Sequence, residues 1–359
     1  MHDGEIQAGA EPLRFSTTLD LHSFIRLSLR NGLLNIVTLT LYRFWGKTEV
    51  RRRIWDGVRL NDEPFEYTGR GKELFIGFLL AVAVVGAPFL IVLFAAQFLP
   101  PLVALPIILV IYLGLFFLAG FGTFTAFRYA ASRTRWRGVR FRLRGKASPF
   151  GGYFLLMVFA RGFSLGWATP AADMFLAERL WGGLSFGDKP FRWVRANSVN
   201  LYGRFAIGWC AAVAGYIAFI AAAIGMAVAF GLETEEPPAE FLIGLYAVGL
   251  LFALAVVAAF VPYRAAVMRE IAASLRLDEA KFKLDVRAAV LFGLLLSNLL
   301  LLVFTLGFAA PFVQARTARF MIGRLSADGT ARLAEVQQTA TAGPAHGEGL
   351  ADAFGLSPI

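Results

Sequence analysis

Residues 31–67 read NGLLNIVTLTLYRFWGKTEVRRRIWDGVRLNDEPFEY. An apolar run ends at Thr38, an arginine-rich helix follows, and a short aromatic, hairpin-like piece closes the stretch at Pro64-Phe65-Glu66-Tyr67. The same plan returns later without a gap. Trp55 falls on Trp181, Pro64 on Pro190, Phe65 on Phe191 and Tyr67 on Trp193. A third copy begins at Asn298, where Thr305-Leu306-Gly307 stands for Thr38-Leu39-Thr40. Self-similarity of this kind points to a chain built from repeated units.

Working outward, the composition gives the class. The chain has 359 residues, 57% of them hydrophobic, with a mean hydropathy of +0.62. Several apolar runs exceed the roughly 20 residues that cross a bilayer as a helix. The expected fold class is an all-α polytopic membrane protein. The net charge is +10. Because the bases flank apolar helices, they fit the positive-inside bias rather than nucleic-acid binding. The single cysteine, Cys210, lies in an apolar run, and no Cys/His metal spacing exists, so no metal or cofactor is expected. Residues 1–20 lack a continuous apolar region, so the first hydrophobic segment is expected to serve as its own targeting signal.

The repeat and the hydrophobic runs together divide the chain. Residues 1–13 form a loose tail. Repeat one covers 14–149, with an interrupted segment at 24–42, a module at 43–73 and spans at 74–98 and 102–127. Repeat two covers 150–287, with a segment at 150–169, a module at 171–203 and spans at 205–231 and 241–263. A partial third repeat occupies 288–336, its segment being 288–312. The Ala/Gly/Thr/Pro-rich residues 337–359 read as a disordered tail. Trp136-Arg137-Gly138-Val139-Arg140-Phe141 echoes Trp55-Asp56-Gly57-Val58-Arg59-Leu60 as a fourth trace of the module.

Charge then suggests topology. Residues 128–149 carry seven arginines and Lys146 and no acid. Glu233, Glu235, Glu236 and Glu240 fill the loop 232–240, which has no base. If all seven hydrophobic segments crossed, these two loops would share a face, against the positive-inside rule. If segments 24–42, 150–169 and 288–312 instead dip in and return, or lie along the interface, every basic loop and the C-terminus are cytoplasmic. The crossings then come as one helical hairpin per repeat, and parallel repeats are expected. Both topologies remain open on the sequence alone.

Polar residues within the interrupted segments are the candidate membrane site: Asn31, Thr38, Arg161, Ser164, Asn298 and Thr305. Thr38, Ser164 and Thr305 align, as do Asn31 and Asn298, with Met157 in the middle copy. Such groups either line a solute path, satisfy broken helix ends, or join helices through side-chain hydrogen bonds. Arg161 is an ionisable group at bilayer depth, functional by default unless it snorkels. Lys47, Arg51, Arg52 and Arg53 are candidate contacts for anionic lipid head groups. No Walker loop, HExxH, nucleophile elbow or dinucleotide fingerprint is present, so an enzyme is not expected.

The run from Asn31 through Thr38-Leu39, Tyr42-Arg43-Phe44-Trp45-Gly46-Lys47-Thr48, Arg51-Arg52, Trp55 and Phe65-Glu66-Tyr67 resembles the YjgN family of bacterial inner-membrane proteins. The likeness extends over roughly residues 14–325 and includes Thr305-Leu306-Gly307, Pro311, Arg316 and Arg319-Phe320. Copy one has Thr40 and Phe44 where the pattern has Gly and Pro, and the middle copy has Glu178 in place of an arginine. The resemblance implies a location and no activity.

Two functions fit. One is binding or passage of a small solute or lipid through a site lined by the repeat segments. The other is a structural or assembly role in which the basic cytoplasmic modules bind a membrane or cytoplasmic protein partner or anionic lipid. Polar groups facing one shared cavity would favour the first. Repeat segments packed without one would favour the second.

Overall fold

The computed structural model describes residues 10–231, 237–334 and 336–337. Residues 1–9 of the N-terminal tail, the tail from 338 on, and Glu233, Glu235 and Glu236 of the acidic loop lie outside the described residues. The chain is mostly helical, at 67%.

Four helices are long and apolar enough to cross a membrane: Gly71–Ala96, Pro101–Arg133, Leu201–Ala229 and Ala239–Ser274, of 26, 33, 29 and 36 residues. They coincide with the four clean spans of the sequence. The first is built of α3 (Gly71–Ala81), a π-helical turn (Val82–Gly86) and α4 (Ala87–Ala96). The π turn sits just before Pro88, where the missing N–H and the ring disturb the regular ladder. The other three long helices are α5 (Pro101–Arg133), α8 (Leu201–Ala229) and α9 (Ala239–Ser274).

The interrupted segments are shorter. The helices α1 (Leu21–Val37), α6 (Ala147–Phe163) and α10 (Ala288–Phe304) each have 17 residues. At 1.5 Å per residue they are about 25 Å long, short of a hydrocarbon core of roughly 30 Å. Each turns sharply into a second helix: α2 (Arg43–Gly57), α7 (Thr169–Trp181) and α11 (Ala310–Ile322).

The sequence suggested a hairpin-like piece after α2 and, from the alternation of Leu13-Arg14-Phe15-Ser16, a short strand before α1. The structure contains thirteen short strands among the described residues. They are β1 (Glu11–Pro12), β2 (Phe15–Thr17), β3 (Val58–Leu60), β4 (Glu63–Tyr67), β5 (Thr134–Trp136), β6 (Val139–Leu143), β7 (Leu184–Phe186), β8 (Lys189–Pro190), β9 (Arg192–Trp193), β10 (Leu275–Leu277), β11 (Ala280–Leu284), β12 (Leu325–Asp328) and β13 (Thr330–Ala331). Strands β2 to β8 form one antiparallel run, and β9 to β12 form another in the order β12-β11-β10-β9. Only Phe191 separates β8 from β9, and only Gly329 separates β12 from β13. β13 pairs with β1, which leads into β2. Followed from neighbour to neighbour, the strands close into a barrel.

Alternation fills that barrel. Leu60, Trp136, Phe186 and Leu277 end the first strands of four hairpins and are buried in one cluster. Phe65, Phe141 and Phe282 occupy the middle of the second strands, Phe191 lies between β8 and β9, and all four pack against it. The rings meet in series, with Phe65–Phe141 centroids at 6.1 Å, Phe141–Phe186 at 4.8 Å and Phe191–Phe282 at 5.9 Å. Burial of each such ring stabilises by about 1.5–3 kcal/mol. Arg59, Arg135, Arg140, Arg142, Arg192, Arg276, Lys281 and Lys283 take the alternate, outward positions. Asn61 and Asp62 turn the first hairpin with φ of 49° and 65°, and Arg137 and Gly138 turn the second with 48° and 75°. Two successive positive φ values mark the I′ turn, whose twist suits a tight hairpin.

This corrects the fourth trace of the module. Trp55 lies on α2, whereas Trp136 lies on β5. The structural counterpart of Val58-Arg59-Leu60 is Thr134-Arg135-Trp136, the first strand of the next hairpin.

The chain divides into two compact units. The barrel and the helices α1 to α7 and α11 belong to the first, with residues 298–304 of α10. Within it, Phe24 and Leu27 of α1, Val50 and Ile54 of α2, and Ala315 and Ala318 of α11 share a core. Phe124 of α5, Phe150 of α6 and Leu176 of α7 share another. The second unit holds α8, most of α9 and the start of α10. There the backbone of α8 approaches α9 closely. A Cβ at Gly208 would stand 3.0 Å from the Ala259 carbonyl oxygen, so a small residue sets the spacing.

Candidate functional site

The three turns between paired helices share one construction. Thr38 donates to the Leu34 carbonyl at 2.7 Å and accepts from the Tyr42 N–H at 2.9 Å. Ser164 donates to Arg161 at 3.3 Å and accepts from Ala168 at 2.8 Å. Thr305 donates to Leu301 at 2.5 Å and accepts from Ala309 at 3.1 Å. Each hydroxyl bonds both the carboxyl end of one helix and the amino end of the next, where backbone groups lack intrahelical partners. The next two residues are left-handed: Leu39 and Thr40 at φ 48° and 69°, Leu165 and Gly166 at 51° and 92°, Leu306 and Gly307 at 49° and 85°. Thr40 adopts this backbone although it is not glycine. The sharp break therefore occurs in copy one too, at a strain of roughly 1–2 kcal/mol. Pro170 and Pro311 occupy the first turns of α7 and α11, where a missing N–H costs nothing.

The remaining polar candidates are used in pairs. Arg161 donates to Asp173 at 2.6 Å, across the turn from α6 to α7. Asp173 lies in α7, outside the four long apolar helices. Asn298 accepts from Arg316 and donates to the Thr317 hydroxyl, both at 3.2 Å. Asn31 is buried beside Gly46, where a Cβ would stand 3.1 Å from its Nδ2. Its Oδ1 has no hydrogen-bond partner.

The first and third hairpins lie together. The Phe312 N–H donates to Ser28 at 3.2 Å, and the Phe308 ring covers α1 at Gly32. The second hairpin packs on α5 instead. Among the described residues no hydrogen bond joins Thr38, Ser164 and Thr305 to one another.

The basic helix is not uniformly available. Arg51 is 1% exposed and donates to the Tyr67 hydroxyl at 3.1 Å, so it holds α2 to β4 and does not reach a head group. Lys47 is half-buried, while Arg52 and Arg53 are exposed. Arg53 pairs with Glu49 at 3.0 Å. Trp55 also faces inward, donating to Thr134 at 2.8 Å.

Two features escaped the sequence because they join distant residues. Glu73 at the foot of α3 accepts from Tyr129 at 2.7 Å and pairs with Arg133 of α5 at 2.9 Å, tying the first membrane hairpin. Asp278 accepts from Lys189 and from the Arg332 N–H, each at 3.0 Å, linking three parts of the barrel. Burial works to raise the Asp278 pKa. Those two hydrogen bonds and the nearby positive charge outweigh it and hold the carboxyl below its ordinary value.

A family model described as a bacterial protein of unknown function (DUF898) matches residues 11–353. The inner membrane protein YjgN of Salmonella typhimurium (strain LT2) is 41% identical over 54 residues, which is 15% of this chain and 14% of that relative's length. No solved structure matches the chain.

Proposed function

The chain belongs to the DUF898 family of bacterial proteins, and from that membership we propose a structural or assembly protein of the bacterial inner membrane. Four helices cross the bilayer. Three helical hairpins, one per parallel repeat, enter one leaflet and return. The barrel stands on the cytoplasmic face to receive a protein partner.

The observation that carries this reading is the use of the polar groups. Thr38, Ser164 and Thr305 are consumed by their own turns, Arg161 by Asp173, and Asn298 by Arg316 and Thr317. A shared solute path would need them to converge. Barrel closure supports the topology, because every helical segment leaves from a strand and returns to a strand of the same ring. The hairpin tips support the leaflet insertion. Leu39, Leu165 and Leu306 are 85%, 77% and 88% exposed within the fold, and apolar tips of this kind gain stability when buried in lipid. The location follows from the relative's name and the four long apolar helices.

Passage of a solute keeps two observations in its favour, the unpartnered Asn31 Oδ1 and Arg161 Nε. Two measurements separate the readings. In a Cys210→Ser background, Leu39→Cys, Leu165→Cys and Leu306→Cys are expected to resist an impermeant maleimide applied outside, and Lys281→Cys to react only after the cytoplasmic face is opened. External reaction at Leu165→Cys would sink the leaflet model. Proteoliposomes of the purified protein are expected to leak no ions or sugars. A flux abolished by Asn31→Leu would return the chain to the passage class.

A further inference from the structure

The foot of the first membrane hairpin carries Arg128, Arg142, Arg144 and Lys146 within a stretch, residues 128–149, that holds no acid. The apolar face of α5 ends at Phe127, and Arg128 follows at the level where a crossing helix meets the head groups. Its guanidinium lies 4.8 Å from the Phe124 ring centroid and donates to the Gly145 carbonyl at 2.5 Å. The Arg128 Nε is buried without a partner. Gly145, with φ of +105°, turns the chain between β6 and α6, and Arg144 and Lys146 are its neighbours in sequence.

Strand β6 adds to the cluster from the barrel side. Val139 and Phe141 pack against the barrel core, so Arg140 and Arg142 take the outward positions. Arg140 is directly opposite Arg135 in the ladder, a like-charge pairing that opposes folding. Arg142 lies close enough to Arg128 for their charges to repel. Arg144 finds only the Asp188 carbonyl, at 3.4 Å.

Nearby arginines are treated differently. Arg133 pairs with Glu73, and Arg137 pairs with Glu63 and Glu11. Residues 128–149 contain no acid, and among the described residues no ion pair is recorded for Arg128, Arg142, Arg144 or Lys146. The foot of the second hairpin has a base at five corresponding positions, Arg269, Arg276, Lys281, Lys283 and Arg287, with Asp285 where the first has Arg144.

Converging guanidinium groups with free donors suit a phosphate, which accepts paired N–H bonds and cancels their repulsion. We infer that Arg128, Arg142 and Lys146 form a phosphate-binding site at the membrane interface, filled by the head group of an anionic phospholipid or by a soluble phosphate compound. The inference rests on α5 crossing the membrane and is independent of whether the short hairpins enter a leaflet.

The test uses the full chain, purified in a neutral detergent and stripped of lipid. Thermal unfolding is followed with phosphatidylglycerol, with phosphatidylcholine and with inorganic phosphate as separate probes. Phosphatidylglycerol is expected to raise Tm by several degrees, as binding to the folded state does. That shift should shrink as salt is added, and Arg142→Gln with Lys146→Gln should weaken the apparent affinity about tenfold. Such a loss for phosphatidylglycerol assigns the site to lipid. The same loss for inorganic phosphate assigns it to a soluble ligand. Arg142→Lys should retain most of the shift, which separates charge from a folding defect. Arg128→Gln is a further variant, and if it does not fold, the two strand and loop positions still decide. No shift with phosphatidylglycerol or phosphate, or the same shift in the variants, would overturn the inference.

Discussion

At Thr38, Ser164 and Thr305 one hydroxyl bridges two helices by accepting the amide four residues on. Replacing Thr305 with Val keeps the shape and removes the acceptor. Thr305→Val is expected to lower stability by about 1 kcal/mol, the typical value of a helix cap. Thr305→Ser, which copies the natural residue of the middle hairpin, should change it by only a few tenths. Denaturant titration in detergent measures both. This position was legible because Thr305-Leu306-Gly307 repeats the register of Thr38-Leu39-Thr40. The partner of Arg161 was not. Asp173 lies on the far side of a turn, and only the fold back of α7 brings the two together.

At the scale of elements, docking of the third hairpin on α1 depends on Gly32. A Cβ there would run into the Phe308 ring. Gly32→Leu is expected to destabilise by about 1–3 kcal/mol through overpacking, seen as a lower Tm in detergent. Gly114→Ala is the contrasting case. Nothing lies within 4 Å of a Cβ at Gly114, in the interior of α5. That change should be neutral or stabilise by up to about 1 kcal/mol from helix propensity. The long helices were legible because their signal is local: a continuous apolar run of sufficient length. The barrel was not. Its first strands hold three residues, one of which ends in the core, and its partners lie far apart in sequence, as Phe15 does from Leu60 and Glu11 from Ala331. Residues 134–143 announced themselves as a basic loop, which is their outer face, and Trp136 and Phe141 gave no local sign of the core they fill.

For the whole molecule, acid should loosen the barrel through Asp278. Its folded-state pKa lies below the ordinary carboxylate value. Its stabilising contribution is therefore complete at neutral pH and is lost as pH falls through about 4 and below. Trp fluorescence across an acid titration should show the barrel opening. Asp278→Asn should remove the part of the transition due to this group and lower stability at pH 7, where the wild-type carboxylate bonds Lys189 and Arg332. An unchanged acid profile would rule out this role. The four membrane-length helices are the large-scale property most legible in the sequence, because each is a continuous apolar run, while the sidedness drawn from Lys and Arg belongs to the proposal. The use of the polar residues was not carried, since Thr38 reads the same whether it faces a cavity or its own backbone.

The pairing of β1 with β13 gives the protein a chronology. The first strand of the ring precedes every membrane-length helix in the chain, and its partner follows them all. Until residues 325–331 emerge, β1 and β11 each lack their final neighbour. All four long helices are made while the sheet still has two open edges, the state most prone to pairing with the wrong chain. Completion of the ring therefore waits until every long helix has been made, and a nascent chain stalled before Leu325 is expected to be recognised as unfinished.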